Sequence, residues 1–404
     1  MPSPPDADRR RLLIFEPDGE GHALEWLEHL VRFAGPDAEI SIVAAPTLCA
    51  ALDRTIAAGA RARVRTLPLT PREQQLCLKR PLSLAAFARW WIVRRYMNLT
   101  GATHGFFLMI DLQALPLAFG LGLGRGRTLS GILFRPSVHY ASLGPYRPSL
   151  GERLRDWRKD FLYRLMLRNR SLSRLFSLDP FFPVHARRNY RHGTKVEALP
   201  DPAQQPLEVA AAPPGIEEYV PPGRTGFLLF GYLAERKGPL PVLDALALLA
   251  PEIAAKVAVL LAGRIDPALA GRIAQRSRAL ARSQPDLWLK IDDRRLQEPE
   301  LAGLVRRSDV VLAPYQRFVG SSGVLLWAAR SGRPVLAQDF GLIGRLTRDH
   351  GLGLAVDSSD PADIARQITR MVEHGPAAFF DRDAATRFAD AQTPQRFASL
   401  VLSV

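Results

Sequence analysis

Asp309-Val-Val-Leu-Ala-Pro-Tyr315, then Gly320-Ser-Ser-Gly-Val324, then Gly332-Arg-Pro-Val-Leu-Ala337 is the stretch that decides the fold. Physically it reads as a buried strand, a loop of small residues opening a helix, and a second buried strand. A glycine and serine turn at a helix start leaves N–H groups pointing outward, and the helix dipole there favours negative charge. Working outward, the same alternation runs through the second half of the chain. Phe227–Phe230, Val257–Leu261, Leu287–Ile291, Val310–Leu312 and Val335–Ala337 read as strands, with helical patterns between them. Strands separated by helical segments imply a parallel sheet covered on both faces.

The first half repeats this pattern. Leu12–Phe15, Glu39–Ala44, Ala62–Leu67, Phe106–Ile110 and Ile132–Phe134 read as strands, and Ala23–Phe33 has apolar residues at helical spacing. Between them and Gly226, prolines 200, 202, 206, 213, 214, 221 and 222 exclude a helix interior or a central strand, which marks an interdomain linker. The expected domains are residues 1–199, a linker over 200–225, a second domain over 226–375, and a helical segment over 376–404.

Composition narrows the classes. The 404 residues are enough for two cores, and 47% hydrophobic with 23% charged residues is ordinary for globular domains. Two cysteines, Cys49 and Cys77, cannot form a disulfide framework or a cysteine metal cluster, which suits a cytoplasmic protein. Met1-Pro-Ser-Pro-Pro5 leads into charges rather than an apolar signal core, and no apolar run reaches about 18 residues. The net charge of +14 predicts an anionic partner: nucleotide phosphates, an acidic membrane or nucleic acid. An arginine-rich, GC-type composition accounts for such a total equally well.

In open parallel sheets, ligands sit at the carboxyl ends of strands near a topological switch point. In the second half those ends carry Phe230-Gly-Tyr-Leu-Ala-Glu-Arg-Lys-Gly238, Ala262-Gly-Arg-Ile-Asp266 and the serine loop. Glycine permits close backbone approach, and Arg236 and Lys237 can neutralise a diphosphate. Arg264 can reach a phosphate as well. Ser321, Ser322 and the N–H groups of Gly323 and Val324 suit the same anion. In the first half, Glu16-Pro-Asp-Gly-Glu-Gly-His22 ends one strand and offers Gly19, Gly21 and His22, with a simple helix cap as the alternative. Another strand end delivers Arg135, Ser137 and His139. Asp111 suits a helix cap.

Over residues 225–375 the order and spacing of these motifs resemble the donor-sugar half of family-4-like (group 1) glycosyltransferases of the GT-B fold. The resemblance is much weaker over the first half. It implies an α/β chain of two tandem Rossmann-like, doubly wound parallel-sheet domains with a cleft between them. It implies an enzyme that moves a sugar from a nucleotide-sugar donor to a glycan, lipid-linked or other acceptor, with retention of anomeric configuration and no metal cofactor. Gly231 and Lys237 match the family's phosphate loop, while Tyr232 stands where the family has arginine. Donor binding then falls to Gly231, Arg236, Lys237, Arg264, Ser321, Ser322, Gly323 and Val324. Acceptor binding falls to Gly19, Gly21, His22 and Arg135, and catalysis to His139 and Lys237. The family also carries two glutamates eight residues apart. Aligning on Leu326–Val335 places Val319 and Trp327 there, and a tryptophan face cannot accept ribose hydroxyl hydrogen bonds. Loss of both carboxylates keeps open a second reading, a non-catalytic GT-B-like binding or scaffold protein.

Two basic segments of the first half, Leu78–Tyr96 with Trp90 and Trp91, and Arg153–Arg174, have the arginine, aromatic and leucine mixture of helices that lie in a membrane interface. The resulting expectation is a cytoplasmic protein, peripheral at the inner membrane face. A basic nucleic-acid-binding protein is the remaining alternative. Neither a stacking platform nor a helix-turn-helix or zinc-finger signature supports it, and nucleic acid is not an expected partner.

Overall fold

The computed structural model describes residues 11–19, 22–57, 63–203, 220–320 and 322–403. Gly21, Ser321 and most of the proline-rich linker lie outside the described residues. The chain divides into two compact units. The first comprises Met1–His139, Pro148–Pro202 and Thr393–Val404, and the second comprises Tyr140–Arg147 and Ala203–Gln392.

The first unit holds a seven-stranded, all-parallel sheet: β1 Arg11–Glu16, β2 Glu39–Ala44, β3 Arg63–Pro68, β4 His104–Phe107, β5 Thr128–Leu133, β6 Leu172–Ser177 and β7 Val196–Ala198, in the order β3-β2-β1-β4-β5-β6-β7. Its central strands are mostly apolar because helices cover both faces. Leu13 and Phe15 of β1 enter one core, with Trp90 and Phe182, while Leu12 and Ile14 enter the other, with Trp26 and Phe397. That split is the period-two alternation of a strand. Phe397 comes from the helix Pro394–Leu402, and its ring lies 5.3 Å from Trp26.

The second unit holds six parallel strands: β8 Thr225–Phe230, β9 Val257–Ala262, β10 Trp288–Asp292, β11 Val310–Ala313, β12 Val335–Gln338 and β13 Gly353–Val356, in the order β10-β9-β8-β11-β12-β13. Residues 140–147 group with this unit for visible reasons. Arg348 Nη2 donates to the Leu143 carbonyl at 3.1 Å, Tyr146 stacks on Phe340 at 5.1 Å, and Gly144 packs on the Asp339 backbone. The helical segment expected over 376–404 is helical at Arg382–Asp390 and Pro394–Leu402. Its first part stays with the second unit, and residues from Thr393 on join the first.

Four expectations change. The basic stretch Arg153–Arg174 is not one helix. A helix spans Leu150–Arg168, and Arg174 lies on β6. Asn169 ends the helix by turning its amide to the Leu117 and Leu121 carbonyls, both at 2.9 Å. Trp90 and Trp91 do not face the same way: Trp90 is 1% exposed in the core and Trp91 is 55% exposed. On a helix, adjacent residues point about 100° apart, so one apolar face takes only one of them. The strand expected at Phe106–Ile110 ends at Phe107, and a short 3-10 turn starts at Asp111. Asp111 serves the sheet instead of a helix cap, its Oδ2 accepting from Phe134 N at 3.0 Å.

Candidate functional site

In the second sheet the strand order reverses between β8 and β11, so the loops after these two strands flank the switch point. The loop after β8 is forced close to its neighbours by glycine. Gly263, at φ +133°, packs so tightly on Gly231 that a Cβ would stand 2.1 Å from the Gly231 carbonyl oxygen. Gly238, at φ +76°, does the same against Pro314, with a Cβ at 2.2 Å from that carbonyl. No residue with a side chain fits either place without moving the backbone. The loops after β8, β9 and β11 are thereby locked together at one end of the sheet.

Lys237 sits inside this lock and is only 8% exposed. Its Nζ donates to the Tyr315 hydroxyl at 2.6 Å and to the Phe230 carbonyl at 3.4 Å. Nζ also lies 4.6 Å from the Tyr315 ring centroid and 6.0 Å from that of Phe230. The Tyr315 hydroxyl in turn meets Ser322 Oγ at 2.9 Å. Ser322 Oγ accepts from Val324 N at 3.4 Å, at the start of the helix Val324–Arg330, where Gly323 is the preceding residue. A chain of polar contacts thus crosses the switch point from Lys237 to the serine loop. Among the described residues no carboxylate lies within ion-pair distance of Lys237. A buried cation with aromatic faces and hydroxyls around it, but no acidic partner, is costly unless an anion shares the site.

The other donor-side residues surround this centre. Gly231 faces Lys237, where a Cβ would stand 3.5 Å from Nζ. Arg236 is exposed, its guanidinium 5.3 Å from the Phe318 ring centroid. Arg264 is exposed beside Gly263, and its carbonyl accepts from Leu233 N at 2.9 Å. Trp327 is half-buried, 6.0 Å from the Phe230 ring, and Val319 holds the next loop by accepting from Leu342 N at 3.0 Å. The positions of the two family glutamates are therefore occupied by packing residues. Asp292, Asp293 and Arg294 are engaged within the fold. Asp293 accepts from Ile265 N at 2.8 Å, and Arg294 pairs with Asp292 and Glu300.

The first unit has its own switch point, between β1 and β4. Gly19 follows β1, close to Thr47. His22 occupies the cap position of the helix Ala23–Arg32 without capping it: its Nδ1 lies 3.4 Å from Glu25, and its ring stacks on Trp26 at 6.3 Å. Arg135 is exposed after β5, where its carbonyl accepts from Lys159 at 3.1 Å. Lys159 also reaches Ser137 Oγ at 3.3 Å, and burial pushes its pKa down. His139 is turned inward. Its Nε2 lies 2.6 Å from Asp179, and its ring packs by Phe182 and His185.

Two groups escaped sequence reasoning. Tyr315 stood in the decisive stretch, yet nothing along the chain signals its contacts with Lys237 and Ser322. Glu16 ends β1 at the first unit's switch point and is buried, with Oε1 accepting from Asp18 N at 2.8 Å. Burial raises its pKa to about 7, against the pull of that N–H and of nearby Arg89. A strand-end carboxylate at a switch point was the available signal.

Residues 224–374 match the family model described as Glycosyl transferases group 1. Among curated proteins none matches the chain in sequence. Similar solved structures include HepE from Anabaena in complex with UDP, at 15% identity and TM-score 0.65, covering 97% of this chain and 98% of that one. Sucrose-phosphate synthase from Thermosynechococcus elongatus has 15% identity and TM-score 0.66, covering 97% of both chains. WaaG, a glycosyltransferase involved in lipopolysaccharide biosynthesis, has 13% identity and TM-score 0.61, covering 97% and 98%. The chain thus carries a glycosyl transferases group 1 domain across the Lys237 site, and its two parallel-sheet units have the GT-B fold.

Proposed function

We propose that the chain transfers a sugar from a nucleotide-sugar donor to a glycan or lipid-linked acceptor, with retention and without a metal cofactor. The observation that carries this reading is the buried Lys237 ammonium, without an acidic partner among the described residues, at the switch point of the group 1 domain. A donor diphosphate supplies the missing negative charge. The hydroxyl of Ser322 and the helix start at Gly323 and Val324 offer it further donors. UDP is the first probe because it is the ligand of the HepE structure.

In the proposed reaction the bond between the anomeric carbon and the diphosphate oxygen breaks. The acceptor oxygen bonds the same face, and its proton passes to the departing phosphate oxygen. Charge builds on the leaving diphosphate, where Lys237 offsets it, so the protein positions and stabilises more than it exchanges protons.

Calorimetry with UDP, UDP-sugars and other nucleoside diphosphates tests the reading. Lys237→Ala is expected to weaken the cognate diphosphate about tenfold or more, since a charge-assisted contact contributes about 1.5–3 kcal/mol. Turnover of the matching sugar nucleotide should survive EDTA. Unchanged affinity in a folded Lys237→Ala protein overturns the phosphate assignment. Binding without turnover would favour the second reading, a binding protein, for which Val319 and Trp327 at the glutamate positions speak.

A further inference from the structure

The helix Leu150–Arg168 carries an apolar stripe that the described residues leave exposed. Leu150 is 83% exposed, Leu154 60%, Trp157 66% and Phe161 53%. Their spacing of four, three and four residues places them within about 60° of arc on one helix face. The buried residues Tyr163, Met166 and Leu167 lie on the opposite face. Trp157 and Phe161 stack on each other at 6.4 Å, forming a ready aromatic surface. Four large side chains aligned this way exceed the scatter of single exposed apolar residues normal for a soluble surface.

Charge on the helix is sorted in the same sense. Its three acidic residues all point back to the protein: Glu152 accepts from Ser149 N at 2.8 Å, Asp156 accepts from Ser137 Oγ at 2.5 Å, and Asp160 accepts from the Tyr190 hydroxyl at 2.7 Å. Arg153 and Arg158 are exposed on either side of the stripe, and Arg168 is exposed farther along the same face. The outer face therefore presents leucine, tryptophan, phenylalanine and arginine, and the one carboxylate at its margin, Asp160, is engaged by Arg164 at 2.8 Å as well as by Tyr190. The neighbouring helix Ala114–Ala118, packed against this one, ends in the exposed Phe119, which lies 6.0 Å from Phe87. Among the described residues no helix is long and apolar enough to cross a membrane.

We propose that the outer face of the helix Leu150–Arg168 docks the chain on an anionic lipid surface, the stripe entering the headgroup boundary and the flanking arginines meeting lipid phosphates. Aromatic and leucine side chains beside arginines, with the one marginal acid paired, complement that surface in both polarity and charge. A protein partner would be expected to meet at least one of the arginines with a carboxylate, whereas lipid phosphates meet all of them. The inference stands apart from the donor assignment, since it uses no residue of that site.

The full chain is sedimented with vesicles of phosphatidylcholine alone or mixed with phosphatidylglycerol, at about 0.1 M and about 0.5 M salt. Wild type is expected to pellet with the mixed vesicles at low salt and much less with the neutral ones. Trp157→Ser with Phe161→Ser should lower partitioning on the order of tenfold. Because both residues are exposed, the thermal midpoint should not change. Arg153→Gln with Arg158→Gln should weaken binding and flatten its salt dependence. Failure of wild type to pellet overturns the proposal, as does wild-type partitioning by the Trp157 and Phe161 variant. So does a dimer in sedimentation velocity that this variant dissociates without any vesicle binding, which would assign the stripe to a second copy.

Discussion

The Tyr315 hydroxyl receives Lys237 Nζ at 2.6 Å and meets Ser322 Oγ at 2.9 Å, so one phenol holds both sides of the proposed phosphate site in register. Tyr315→Phe keeps the ring over Nζ and removes the hydroxyl. Diphosphate affinity should fall about fivefold to tenfold, the share of one neutral hydrogen bond, with the fold retained. An unchanged dissociation constant by calorimetry would remove Tyr315 from the site. Glu16 bears on pH. Its pKa is near 7 folded against an ordinary 4.5, so between those values the folded chain holds a proton that the unfolded chain has lost. The contribution of Glu16 to stability should therefore fall as pH rises from about 4.5 to about 7, by about 3 kcal/mol in all. Glu16→Gln should abolish this slope and raise the melting temperature at pH 8, which thermal unfolding across pH will check. The place of Lys237 beside the switch point was legible in the sequence because it lies between a strand-end glycine and a helix start, although its burial was not, a solvated helix start being the alternative. Tyr315 was not, since its contact with Lys237 spans 78 residues, and Glu16 offered only its place at a strand end, its burial being a product of the fold.

At the level of elements, the loop after β9 and the long helix behind it use glycine in opposite ways. Gly263 allows one loop to lie on another, and a Cβ there would overlap the Gly231 carbonyl. Gly271, inside the helix Pro267–Ser283, faces open space and has no such duty. Thermal unfolding should separate them. Gly263→Ala is expected to cost more than about 2 kcal/mol, and Gly271→Ala to add about 1 kcal/mol of stability. Equal effects would mean the interlock after β8 and β9 is not tight. The strands read from sequence were mostly those buried on both faces, together with the edge strands β3 and β10. β9, Val-Ala-Val-Leu-Leu-Ala, is apolar at every position, and β11 nearly matches it. Three strands were not read. β6 carries Ser173 and Arg174, β7 has only three residues, and β13 begins in glycine at the sheet edge. Edge and near-edge strands bury less, so their composition says less.

At the level of the whole molecule, the two-unit α/β plan was legible because strand and helix signals alternate twice, on either side of a proline-rich interruption. How the chain distributes itself between the units was less legible. Residues 140–147 leave the first unit for the second, and residues from Thr393 on return. Both exchanges rest on tertiary contacts, Tyr146 on Phe340 in one case and Phe397 on Trp26 in the other. Local periodicity reports that a helix has an apolar face, not which core receives it.

That return of the chain sets an order of assembly during translation. Phe397 fills the core that Trp26, Leu12 and Ile14 begin, yet the whole segment Ala203–Gln392 is synthesised in between. Domains usually fold in order from the amino terminus as they emerge. Here the unit begun first is completed last, and Trp26 must wait, incompletely covered, while the ribosome makes almost the whole of the other unit.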